Sequence, residues 1–115
     1  MNFVLTNDEI YGLYENLSQV TRVSANFPVR AGFSIIKNIK TLTPIFESII
    51  EAKNNIVSAV DLNTEEGVKE AEEKINELSA FINEVNLEVI SLKDLEHLEL
   101  PLQVINAIMI ILAKD

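Results

Sequence analysis

The residues of this chain whose types and spacing suit binding chemistry are Arg30, Ser34, Lys37, Asn38 and Thr41. Their spacing is i, i+4, i+7, i+8 and i+11, which places all five along one side of a helix. Two cations with hydroxyl and amide groups between them suit a phosphate or a carboxylate, through charge-assisted hydrogen bonds. Ser34, Asn38 and Thr41 are poorer helix formers than the Lys, Glu or Gln of a merely solvated face, and Gly32 costs about 1 kcal/mol in a helix interior. The competing reading is an ordinary polar helix surface.

Little else in the sequence resembles reactive chemistry. His97 is the only histidine, and acid–base or metal work would require partners for it. It reads as a surface residue in an acidic turn beside Glu96 and Glu99. The acids Glu65, Glu66, Glu70, Glu72 and Glu73 spread around a helical cylinder and favour its positive N-terminal end. Gly32 and Gly67 stand alone, without a phosphate-binding glycine pattern. There are no cysteines, which removes disulfides and thiolate metal sites. The expectation is a protein that is not an enzyme and holds no cofactor or metal.

Composition sets the wider frame. A chain of 115 residues, 48% hydrophobic and 23% charged, has the material for one folded domain, residues 1–115. The formal charge of −9 argues against non-specific binding to nucleic acid or anionic lipid. That charge is divided unevenly. Asn16 to Asn54 holds five basic residues against two acids, whereas Asp61 to Glu99 holds twelve acids against three lysines. Such a division could steer an anion or pair two copies. The N-terminal residues do not read as a signal peptide, and Val104 to Ala113 is about half of the ~20 apolar residues that span a bilayer. A cytoplasmic protein without a membrane segment is expected.

The elements that must position the stripe follow from periodicity. Thr6 and Glu9 form a capping box, flanked by Leu5 and Ile10 at the staple positions. A first helix then runs from Asn7 to about Val23, with Ile10, Leu13, Leu17 and Val20 as its apolar side. Pro28 suits the first turn of a second helix reaching about Val60. Its apolar register survives Pro44, which favours one kinked helix over two. Thr64 caps a third helix from Glu65 to about Val85, where Val68, Ala71, Ile75, Leu78, Ile82 and Val85 repeat as a two-heptad seam. Helices two and three should form a long central antiparallel hairpin. Leu87 to Leu92 is β-prone and is expected to pair with Asn2 to Leu5 as a small two-stranded sheet. A fourth helix, from Pro101 to about Ala113, is apolar nearly all round. The fold class expected is therefore mainly α. The last helix suggests a homo-oligomer with Val104, Ile108 and Ile111 at the interface.

The stripe segment also carries a family likeness. Phe27-Pro28-Val29-Arg30-x-x-Phe33, followed by Lys37-Asn38-x-x-x-Leu42-x-Pro44, resembles a motif of small proteins encoded by tailed phages and prophages of Gram-positive bacteria. The later run through Leu78, Phe81, Ile82, Val85, Leu87 and Val89 to Leu95 is similar to the same group. The resemblance implies origin more than activity, with Arg30, Lys37 and Asn38 as the matching polar positions. On it, the chain is expected to be an accessory protein in the host bacterial cytoplasm. It would bind or sequester a host protein or a small anionic, nucleotide-like signal, such as one used in antiviral defence. The alternative expectation is a structural or assembly protein of phage morphogenesis, acting through helical oligomerisation. Acidic mimicry of nucleic acid is a weaker third.

Overall fold

The computed structural model describes residues 1–23, 28–95 and 102–113. Three long helices dominate: α1 (Asn7–Val23), α2 (Val29–Ser58) and α3 (Glu65–Ala80). They are joined by β1 (Asn2–Thr6), β2 (Ile82–Asn86), β3 (Ile90–Ser91), a short α4 (Leu102–Ile108) and β4 (Leu112–Ala113). The chain is mainly helical with a small two-stranded antiparallel sheet, as the sequence predicts.

The capping box opens α1 as expected. The Glu9 amide donates to Thr6 Oγ1 at 3.1 Å, and the Thr6 amide donates to Glu9 Oε1 at 3.0 Å. Two of the orphan donors at the helix start are thereby satisfied reciprocally. Ile10, Leu13, Leu17 and Val20 are all buried and form the α1 side of the core. Ala31, Ile35, Leu42 and Ile49 supply the α2 side. The helix α2 is continuous through Pro44. Pro44 lacks an N–H, so the Lys40 carbonyl loses its helical donor. Both residues are exposed, so water can replace that bond.

The chain then turns through residues 59–64 and α3 returns along α2. Asp61 organises the turn: its Oδ1 accepts from the Asn63 amide at 3.0 Å, and its carbonyl accepts from the Thr64 hydroxyl at 3.0 Å. Thr64 Oγ1 in turn accepts from the Gly67 amide at 3.0 Å, making the expected N-cap.

Three expectations need correction. The seam of α3 stops at Ala80, five residues before Val85. Its end is fixed by Asn7, whose Nδ2 donates to the Leu78 carbonyl at 2.7 Å and whose amide donates to the Phe81 carbonyl at 2.9 Å. Asn83 Nδ2 closes the group by donating to Asn7 Oδ1 at 2.7 Å. With its last carbonyls captured by a neighbouring helix, α3 ends and the chain becomes extended. The partner of β1 is therefore Ile82–Asn86, with Val4 opposite Glu84, rather than the stretch from Leu87. Finally, the last segment is helical only over Leu102–Ile108. It passes through a 3-10 turn at Met109–Ile111 into β4, which pairs parallel with β3.

The molecule measures 54 × 26 × 20 Å with a Cα radius of gyration of 16.9 Å. A compact chain of this length has a radius of about 13 Å. The excess comes from the hairpin: α1, the terminal segment and the start of α2 share the core, whereas the far ends of α2 and α3 reach beyond it.

Candidate functional site: the outward side of the second helix

The five stripe residues do not share one environment. Ala31, Ile35, Leu42 and Ile49 define the buried side of α2. At 3.6 residues per turn, Asn38 falls on that same side. It is only 1% exposed. Ser34 is half-buried, and Arg30, Lys37 and Thr41 are exposed.

Asn38 is fully used inside the fold. Its Nδ2 donates to the Glu88 carbonyl at 2.9 Å, and its Oδ1 accepts from the Glu88 amide at 2.7 Å. This pair of hydrogen bonds satisfies both backbone groups of Glu88, which lies between β2 and β3. Lys37 engages the same residue. Its Nζ lies 2.6 Å from Glu88 Oε1, with the two side chains 49% and 47% exposed. It also lies 5.6 Å from the centre of the Phe33 ring, within the range of a cation–π contact. The Lys37 ammonium, as hydrogen-bond donor and as neighbouring charge, holds the Glu88 carboxyl below its ordinary pKa. Lys37 thus pairs with a carboxylate of its own chain, while Asn38 holds the backbone of the same residue. Arg30 and Lys40 have no ion pair among the described residues.

The outward side of α2 carries a feature the polar reading passed over. Val29, Phe33 and Ile36 are 89%, 61% and 49% exposed. Spaced i, i+4 and i+7, they form an apolar strip between Arg30, Lys37 and Lys40. The same side continues past Pro44 as a shallow groove lined by Phe46, Glu47, Ile50, Glu51, Asn54 and Asn55. The signal was present in the sequence as the spacing of Val29, Phe33 and Ile36. Periodicity cannot say which of two apolar strips of a helix faces the core.

A second cleft lies where α1, α2 and α3 meet. It is lined by Asn7, Asp8, Tyr11, Ile49, Lys53, Ile75, Leu78 and Ser79, with a volume of about 120 Å³. Small-molecule sites usually enclose about 300–1,000 Å³, so a nucleotide does not fit. Tyr11 and Tyr14 pack on Phe46, with ring centres 5.0 and 4.1 Å apart. Lys53 Nζ sits 5.8 Å from the Tyr11 ring centre. Tyr11 has a raised pKa because its hydroxyl bonds to Glu15, whose charge opposes ionisation.

The proposed interface residues of the last segment fall differently from expectation. Ile108 and Ile111 are each 0% exposed within the single chain and belong to its own core. The side chain of Val104, and all of His97, Phe27 and Pro101, lie outside the described residues. Among the described residues, the large apolar side chains that this segment exposes are Leu102, Ile105, Met109 and Ile110. Among the described residues no group of histidines and carboxylates could hold a metal ion, and no helix is long and apolar enough to cross a membrane.

Comparisons with protein-family models, curated proteins and solved structures give no match to this chain.

Proposed function

We propose that this chain is a non-enzymatic accessory protein of phage type, which works in the host bacterial cytoplasm by engaging a protein surface. The observation that carries this reading is the exposed apolar strip Val29, Phe33 and Ile36, bordered by Arg30, Lys37 and Lys40. Exposed apolar strips rimmed by charge are characteristic of protein contacts. A small anionic signal is the less favoured ligand. Asn38 is committed to Glu88, and Lys37 is already neutralised by it. Displacing Glu88 would cost any incoming phosphate part of its own binding energy. The apolar strip serves an anti-defence role and an assembly role equally well.

The test uses a photo-crosslinking amino acid placed at position 33, with position 84 on the outer side of the sheet as control. Protein adducts formed in cells at 33 and absent at 84 are expected. A nucleotide screen by thermal shift runs beside it. No adduct at 33, or a nucleotide that raises the melting temperature by several degrees, would overturn the reading.

A further inference from the structure

We infer that the cleft where α1, α2 and α3 meet binds a small free α-amino acid, its carboxylate on Lys53, its ammonium on Asp8 and an aliphatic side chain on the apolar floor. The inference is independent of the docking surface on α2, and it gives the chain a small-molecule ligand.

The fold holds this cleft in shape. Asn7, at its edge, is committed through both side-chain atoms, since Nδ2 donates to the Leu78 carbonyl and Oδ1 accepts from Asn83. The start of α1 is thereby pinned to the end of α3. Tyr11 forms a wall, with its ring packed on Phe46 and its hydroxyl tied to Glu15. The buried Ile49 and the half-buried Ile75 and Leu78 supply the floor.

The charges stand at the mouth. Asp8 and Lys53 both line the cleft and both are exposed. They are opposite in sign, yet neither makes an ion pair among the described residues. Lys53 Nζ lies 5.8 Å from the centre of the Tyr11 ring, a contact that uses its charge and leaves its donors open.

A ligand with a single charge fits this pair badly. A carboxylate drawn to Lys53 meets Asp8, and an amine drawn to Asp8 meets Lys53. A zwitterion satisfies both through charge-assisted hydrogen bonds. It also has no net charge, so the −9 of the chain does not repel it. Size agrees. The volume of about 120 Å³ equals about four waters, at roughly 30 Å³ each, and lies just below the roughly 150 Å³ that holds a benzene. An amino acid with a short aliphatic side chain, such as alanine or valine, suits that space, with its apolar end inward.

Two-dimensional NMR of the full chain, titrated with L-valine, tests the inference. Saturable shifts are expected at the amides of Asp8, Tyr11 and Ser79. Isovalerate, which is valine without its ammonium, and isobutylamine, which is valine without its carboxylate, should each bind about tenfold more weakly. Asp8→Asn and Lys53→Met should each weaken valine about tenfold, since each removes one charge-assisted contact. Asp8→Asn should at the same time strengthen isovalerate, and Lys53→Met should strengthen isobutylamine, because each deletes the like charge that ligand faces. A merely structural effect of either substitution would not produce that exchange. Unchanged amide dispersion away from the cleft confirms folding. The inference is overturned by the absence of saturable shifts up to about 50 mM valine, where a millimolar site would be nearly full. It is equally overturned if either single-charge ligand binds as tightly as valine, or if both substitutions leave valine binding unchanged.

Discussion

At the scale of single residues, one asparagine, one lysine and one glycine carry much of the specificity. Asn38 is polar on the buried side of α2, and its cost is recovered by satisfying both backbone groups of Glu88. Asn38→Ala should lower stability by about 1–3 kcal/mol, because it leaves that peptide partly unpaired; chemical denaturation checks this. The neighbouring Lys37 acts on the side chain of Glu88 instead. The folded state lowers the Glu88 pKa, so the pairing contributes above the ordinary glutamate range of about 4.3. It is lost as pH falls through the folded value. Lys37→Met should raise the Glu88 midpoint towards the ordinary value in an NMR titration. Gly67 is fixed by a close approach. A Cβ there would overlap the Asp61 carbonyl oxygen and lie 2.6 Å from its carbon. Gly67→Ala gains about 1 kcal/mol of helix propensity, yet crowding should outweigh it by about 1–2 kcal/mol. A higher melting temperature for this variant would contradict the turn geometry.

At the scale of elements, the point of interest is where α3 gives way to β2. The apolar seam through Ile82 and Val85 has a helical period, and locally nothing in it signals a stop. The stop is imposed by Asn7, whose side chain takes the Leu78 carbonyl. Asn7→Leu should therefore cost about 1–3 kcal/mol, because it removes both short side-chain bonds, the one to the Leu78 carbonyl and the one from the Asn83 amide. Thermal denaturation measures it. The same competition explains the strand pairing. Once Ile82–Asn86 is extended, Leu5 and Val85 are both buried in the core, and the pairing with the N-terminal strand ends where the Leu87 amide donates to the Met1 carbonyl at 3.0 Å.

At the scale of the whole molecule, the last segment shows how burial depends on the completed fold. Its composition suggests a helix apolar all round, and Ile108 and Ile111 look suited to an interface. In the folded chain these two close the core against α1, and Leu102 and Met109 face outward. Ile108→Asp should consequently unfold the monomer, since an unpaired charge at a fully buried position costs several kcal/mol. Met109→Asp, on the outside, should leave circular dichroism and melting temperature nearly unchanged. Equal damage from both would place the segment at an interface after all.

Local interactions determined much of this protein directly from its sequence. The capping box at Thr6 and Glu9, the α1 core side from Ile10 to Val20, the passage of α2 through Pro44 and the Thr64 cap all depend on residues within a few turns of each other. For that reason they were legible. The charge division between the start of α2 and α3 was legible as well, because charge is a property of composition. The tertiary structure alone decided the rest. It chose which polar residue of the α2 stripe is buried, which glutamate occupies Lys37 and Asn38, where α3 ends, and which isoleucines of the last segment are core. Each of those outcomes is set by a partner 50 or more residues away: Glu88 for Asn38, and Leu78 for Asn7. Periodicity measures which residues share a side of a helix. Only the packed chain determines which side meets the protein and which meets water.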